Sequence, residues 1–372
     1  MTMKARQDGC PFQWSHQSST KTYKQTNGMS HVAYLYATIV LTYCTRLKDP
    51  YIGFNELDAR WVDEKSWIYR REFEMPVIAE ECSTVLVFDG LDTFARVRLN
   101  GTVILNSNNM FLAHRIDITD ALQLSPSQKH VLEIEFDSAM LRGKELEKLY
   151  PEHKWGAFNG DPSRLGVRKA QYHWGWDWGP ILMTAGIWRE VRLEVYHARI
   201  RDLHVRTNLL LFDAATVTVY ADIDSPATYT NASHVEFTLH LNGQEISKRE
   251  ASIVTTEDAK ATFHLDQPSL WWPRGYGDQT LYEISVSLMD GEKICELHRV
   301  SKRFGIRKAE VIQQNDKHGK SFFFRINGMD IFCGGSCWIP ADCLLPSITP
   351  ERYRRWVELM ASGNQVMVRY VP

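Results

Sequence analysis

The segment His173-Trp174-Gly175-Trp176-Asp177-Trp178-Gly179 sets one carboxylate among three indoles. An ionised Asp accepts hydrogen bonds from two neighbouring hydroxyls of a neutral polyol, while indole faces give sugar C–H groups a flat apolar surface. If the segment runs extended, Trp174, Trp176 and Trp178 share one face, and His173, Gly175, Asp177 and Gly179 share the other. The glycines then leave room for a ligand to approach the carboxylate. Pattern alone is satisfied equally, and more commonly, by a Trp-rich core strand whose Asp serves nearby backbone donors.

Other reactive groupings are sparse. Cys333, Cys337 and Cys343 lie close in sequence, but no paired His or second Cys cluster completes four zinc ligands, so no metal is expected. The seven cysteines are an odd number without a regular framework and read as reduced thiols. Lys and Arg total 43 against 45 Asp and Glu, a net charge of −2 with the signs mixed. That leaves no electrostatic footprint for nucleic acid or an anionic membrane, and a neutral partner fits better. Twelve Trp, fifteen Tyr and sixteen Phe suit a β-rich core and sugar binding alike. The first thirty residues are polar, with no apolar signal-peptide core, and the apolar run 31–44 is shorter than the ~20 residues a spanning helix needs. A soluble, intracellular, cytoplasmic chain is expected. The sequons Asn100-Gly101-Thr102 and Asn231-Ala232-Ser233 point weakly the other way.

The elements that must position these groups are mostly strands. From Ile68 onward short alternating segments are broken by turn residues. Asn100-Gly101, Asn242-Gly243 and Asn327-Gly328 supply the positive φ angles of tight hairpin turns. Residues 187–196 alternate in a strand that closes a first sandwich near 197, and a second set of strands runs to about Arg303. After Phe304 the pattern changes. A strand around 329–333 leads through a loop to a helix with Thr349 as cap, Pro350 in the first turn and Gly363 at the end. Tyr353, Trp356, Val357 and Met360 form its apolar face, and residues 365–370 read as another strand. Strand, helix, strand implies a parallel sheet.

Several blocks together resemble the β-mannosidase branch of glycoside hydrolase family two, in particular its fungal intracellular members. They are residues 49–57 (DPYIGFNEL), 168–180 (RKAQYHWGWDWGP), 186–188 (GIW), 270–277 (LWWPRGYG), 303–307 (RFGIR) and 334–342 (GGSCWIPAD). The resemblance covers about Asp49 to Arg369. It implies a mainly β chain: a jelly-roll, galactose-binding-like sandwich over 49–197, an immunoglobulin-like sandwich over 198–305, and the start of a (β/α)8 TIM barrel over 306–372. Residues 1–48 are set apart as atypical, disordered or misread.

The same resemblance implies exo-hydrolysis of terminal β-D-mannose with retention, β-mannoside glycans as partners, and no organic cofactor. Asp177 is carried over as the residue that holds hydroxyls of the terminal sugar, flanked by Trp176 and Trp178. Trp338, in the loop after the first barrel strand, is expected either to wall the pocket or to cover the barrel core. The family usually has Asn where Cys337 stands. Trp271 and Trp272 belong to a structural turn. Retaining glycosidases need two carboxyl groups ~5–5.5 Å apart, and the family takes both from late barrel strands. The lone Asn-Glu pair, Asn55-Glu56, lies in a first-domain block, so no catalytic pair is assigned. The chain is therefore expected to be truncated and inactive alone, with residues after about 305 poorly ordered. The alternative is a non-catalytic carbohydrate-binding protein. Both ends of the recognisable region are expected to mark reading-frame or splicing errors. Leu41 to Arg46 stand where the family calls for Leu-Asp-Leu-Leu-His-Ala, which a one-base shift relates, and Tyr370-Val371-Pro372 replace Val-Trp-Gly.

Overall fold

A computed structural model of the chain describes residues 2–4, 48–74, 81–123, 129–157, 160–177, 179–211, 213–225, 230–253, 258–292 and 295–370. Most of the segment 1–48, expected to be atypical, lies outside the described residues.

The alternating pattern yields two successive β-sandwiches. In the first, an antiparallel sheet takes the order Thr2–Lys4, Trp67–Glu74, Lys129–Phe136, Phe94–Leu99, Thr102–Asn108. A second sheet has the order Val191–Tyr196, Ser83–Phe88, His114–Asp117. The strand Lys129–Phe136 shows why this works: His130, Leu132, Ile134 and Phe136 are buried while the residues between them are not. Leu132, Ile134 and Phe136 meet Leu86, Phe88 and Val191 from the other sheet in one core. Burial of such apolar faces from water is the main stabilising force.

In the second sandwich, the sheet Arg199–Leu211, Ala214–Asp224, Asp258–Asp266 shares a core with the sheet Gln244–Ser252, Ala232–Leu241, Tyr282–Asp290, Cys295–Phe304. Val217, Val219, Phe237, Leu239, Ile284 and Val286 are fully buried there. Trp271 seals the exit of this sandwich: its N–H donates to the Ile306 carbonyl at 2.9 Å, its own carbonyl accepts from Asn327 Nδ2 at 3.1 Å, and Arg307 lies over its ring.

Beyond a three-stranded sheet over 309–331, strand Gly335–Trp338 pairs in parallel with Met367–Tyr370, and helix Pro350–Ser362 connects them. Strands and a helix thus continue past 305. The Thr349 hydroxyl accepts from the Arg352 N–H at 3.3 Å, as a cap should. Gly363 ends the helix at φ −79°, and the left-handed residue is Asn364 at φ +58°. No helix among the described residues is long and apolar enough to cross a membrane.

Candidate functional site

The Trp-rich segment does not run extended. Gln171–His173 form a 3-10 turn, after which Trp174–Trp176 and Gly179–Ile181 pair as an antiparallel hairpin, Gly179 opposite Trp176. Asp177 therefore occupies the hairpin turn, exposed, instead of a strand face. Gly175 is the cause. Its φ of +84° is open to glycine at little cost, and a Cβ there would sit 2.8 Å from Ile181 Cγ1. The two indoles consequently diverge. Trp174 is 1% exposed and donates to Ser163 Oγ at 3.2 Å, whereas Trp176 is 38% exposed with the Arg164 guanidinium 5.4 Å from its ring centroid. Trp178 lies outside the described residues.

What holds this hairpin is a buried polar staple. Lys169, just before it, donates to the Asp92 carboxylate and to both the carbonyl and hydroxyl oxygens of Thr184, just after it, at 2.9 Å each. Thr184 in turn donates to Asp92 at 2.5 Å. Burial alone would push Asp92 up, but the ammonium and the hydrogen bonds outweigh it and hold the carboxyl below the usual carboxylate range. His173 donates from Nδ1 to the Leu182 carbonyl at 2.9 Å, a second tie across the base. Burial, reinforced by the Lys169 charge, pushes His173 down to about 3, so its imidazole is neutral.

The outgoing hairpin strand faces the loop after Gly335–Trp338. Gly179 and Pro180, with Tyr51 and Tyr172, form one side of a cleft of about 350 Å³; Pro340, Ala341, Asp342, Cys343 and Arg352 form the other. The Tyr51 hydroxyl donates to the Asp342 carboxylate, and Cys343 Sγ lies 3.9 Å from the Pro180 carbonyl. Burial and then that hydrogen bond push the Tyr51 phenol up; burial likewise pushes the Cys343 thiol up to about 11. Cys337 is exposed on its strand, and among the described residues no three His, Cys, Asp or Glu side chains converge as a metal would require.

Trp338 turns to the helix, its ring 6.0 Å from Tyr353 and 5.7 Å from Trp356. It does not line the cleft. The structure thus brings Trp176 and Asp177 together on one hairpin and sets that hairpin's second strand beside the loop that follows Trp338. Lys169 and Tyr51 went unnoticed as individual residues, although both sit in blocks the sequence had singled out. Asp92 and Thr184 carry no sequence signal, since their role arises from pairing across long separations.

Two sandwiches feeding a parallel βα unit, with a Trp-Asp hairpin at the seam, define a multidomain β-sandwich architecture. Residues 14–189 match the glycosyl hydrolase 2 galactose-binding-like domain model, and residues 198–307 match the glycosyl hydrolases family 2 model. The chain belongs to glycoside hydrolase family two. It is 62% identical over 325 residues to β-mannosidase B of Aspergillus fumigatus, and 62% identical over 326 residues to β-mannosidase B of Neosartorya fischeri. Each match covers 87% of this chain and 38% of the relative, so the chain spans well under half of their length. The β-D-mannosidase of Dictyoglomus thermophilum superposes with a TM-score of 0.79 at 34% identity, covering 88% of this chain and 40% of that one. An exo-chitosanase of Amycolatopsis orientalis, at 21% identity and TM-score 0.64, covering 90% and 36%, shares the fold.

Proposed function

We propose that this chain forms the sugar-facing wall of an exo-acting, retaining β-mannosidase. The observation that carries the reading is the seam: the hairpin bearing Trp176 and Asp177 packs against loop 339–343, at the C-terminal end of a parallel strand. Barrel enzymes gather their chemistry at that end. Asp177, exposed at the turn, is free of the strand geometry that would bury it and can accept hydrogen bonds from two adjacent hydroxyls of a terminal mannose. Trp176, backed by Arg164, supplies a flat apolar face beside it. Trp178 and Trp338 enter this reading through the family resemblance, and Trp338, packed on Tyr353 and Trp356, would support loop 339–343 from behind. The nucleophile and acid/base come from the barrel portion of the relatives that the match does not reach, and the domains fall at 49–197, 198–305 and from 306 on. Neutral β-mannoside glycans are the substrates, with no organic cofactor. The five described cysteines are free thiols, which supports an intracellular setting.

The test joins this chain to the remaining barrel of the A. fumigatus relative and measures hydrolysis of an aryl β-mannoside. Asp177→Ala should lower kcat/KM by roughly 10²–10⁴-fold, because each charged hydrogen bond lost costs ~1.5–3 kcal/mol. Unchanged efficiency in that variant overturns the assignment of Asp177. The 372-residue chain alone should show no turnover.

A further inference from the structure

Asn-Gly occurs five times in the sequence, and the three of these turns that the structure describes in full differ in one structural respect. Leu99 pairs with Thr102 across Asn100-Gly101, Leu241 with Gln244 across Asn242-Gly243, and Ile326 with Met329 across Asn327-Gly328. The φ angles are 51° and 85°, 53° and 78°, and 48° and 81° respectively, so all three are type I′ turns with nearly one backbone geometry. The residue before each Asn is Leu, Leu or Ile, which keeps the local sequence comparable.

Their side chains are held differently. Asn100 Oδ1 accepts from the Val131 N–H at 2.9 Å, and its amide nitrogen meets His130 Nδ1 at 2.9 Å. Asn327 Oδ1 accepts from the Lys308 N–H at 2.9 Å, its Nδ2 donates to the Trp271 carbonyl at 3.1 Å, and the residue is 4% exposed. Asn242 is exposed, and its side chain makes no such bond among the described residues. It is therefore the one amide of the three that can turn without breaking hydrogen bonds.

From this the geometry points to Asn242, among these three described turns, as the site of spontaneous covalent modification by deamidation. The Gly243 backbone nitrogen gives up its proton to solvent and attacks Asn242 Cγ. The Cγ–Nδ2 bond breaks and ammonia leaves, forming a cyclic imide; water then opens either carbonyl, giving Asp or isoAsp. Exposure supplies the water, and side-chain freedom supplies the approach. At Asn100 and Asn327 two restraining hydrogen bonds must first be lost. The product matters locally because Asn242 lies on the rim of a polar groove of about 630 Å³ on the outer face of the second sandwich, beside Glu245, Lys248, Glu283 and Arg303. Deamidation adds a negative charge to that rim, and isoAsp inserts an extra backbone atom into the turn that sets the register of Ala232–Leu241 against Gln244–Ser252.

The experiment incubates the full chain at mildly alkaline pH and follows all three tryptic peptides by mass spectrometry, with a parallel sample unfolded in urea. In the folded chain Asn242 should convert about tenfold or more faster than Asn100 or Asn327, the effect of two hydrogen bonds that must break first. In urea the three rates should converge. Conversion of Asn100 or Asn327 as fast as Asn242 in the folded chain overturns the proposal. So does a preference for Asn242 that persists undiminished in urea, since flanking sequence rather than fold would then set it. Asn242→Gln, at an exposed turn outside the proposed sugar site, should abolish the fast phase.

Discussion

The ammonium of Lys169 and the carboxylate of Asp92, 77 positions apart in sequence, meet with 0% and 1% of their side chains exposed. Because Lys169 also holds Thr184, one charge ties the entry and exit of the loop carrying Trp176 and Asp177 to a strand of the first sandwich. A turn that presents a polar group to solvent needs such an anchor, since the exposed tip has little packing of its own. The cost of burying two charges is offset here by good hydrogen bonding on both.

Removing one partner should therefore be far worse than removing both charges. Lys169→Met is expected to lower stability by roughly 3–5 kcal/mol, because it leaves Asp92 buried and unpaired. Adding Asp92→Asn should restore part of that loss. Urea unfolding of the two variants checks this, and a double variant no more stable than the single one would show that the charge pairing is not the source.

Acid should act through His173. Its folded-state value near 3 lies below the ordinary value of 6.5, so the unfolded chain binds this proton first as pH falls. The stability His173 contributes is fully present above pH 6.5 and is lost progressively between there and about pH 3. The slope from this group approaches ~1.4 kcal/mol per pH unit within that window. Asp92, also depressed, adds its own loss at lower pH, as its carboxylate is protonated. His173→Gln should flatten the upper part of the window; a denaturation series across pH that is unchanged in this variant would contradict the assignment.

Much of this was legible beforehand, and the failures have a common cause. The Asn-Gly turns and the capped helix follow from local rules, positive φ at Asn100, Asn242 and Asn327 and a Thr349 cap. The strand-helix-strand pattern is also present, but its first strand is Gly335–Trp338 and not the expected 329–333, whose residues 329–331 pair in an antiparallel hairpin. The hairpin at 174–181 departs from the extended reading because Gly175 adopts a left-handed conformation inside an apparently alternating run, so that period-two reasoning puts Trp174 and Trp176 on one face when they part. Trp338 resisted prediction because its neighbours Tyr353 and Trp356 lie on a helix whose docking depends on the parallel strand pair. Contacts such as Tyr51 to Asp342, 291 positions apart, leave no periodic trace at all.

Gly175 itself makes a sharp test. Gly175→Ala forces a Cβ into a φ of +84° and to 2.8 Å from Ile181 Cγ1, so both backbone strain and a clash oppose it. A loss of ~1–2 kcal/mol from the conformation alone is expected, with faster proteolytic cleavage confined to 174–181. Gly243→Ala, where nothing lies within 4 Å of a new Cβ, should show the strain without the clash.

The seam between the first sandwich and loop 339–343 can be followed through its cysteine. Cys343 is buried beside Pro180, and burial keeps its thiol near 11, so at neutral pH little thiolate forms and alkylation should be slow. Cys337, exposed on the adjacent strand and 3.9 Å from the Arg369 guanidinium, should react first. Tyr51→Phe removes the hydroxyl that joins the two sides through Asp342. Two consequences then compete at Cys343. Losing the phenol removes a group that favours the thiolate, which alone would slow the reaction, while opening the cleft relieves the burial that is the largest cause of its raised value. Burial dominates, so the net expectation is faster alkylation of Cys343 in Tyr51→Phe with Cys337 unchanged. Site-resolved iodoacetamide labelling reads both thiols in one sample. Equal Cys343 rates in the two proteins would mean that the cleft stays closed without the Tyr51–Asp342 bond, and that packing of Gly179 and Pro180 alone holds the hairpin to the barrel loop.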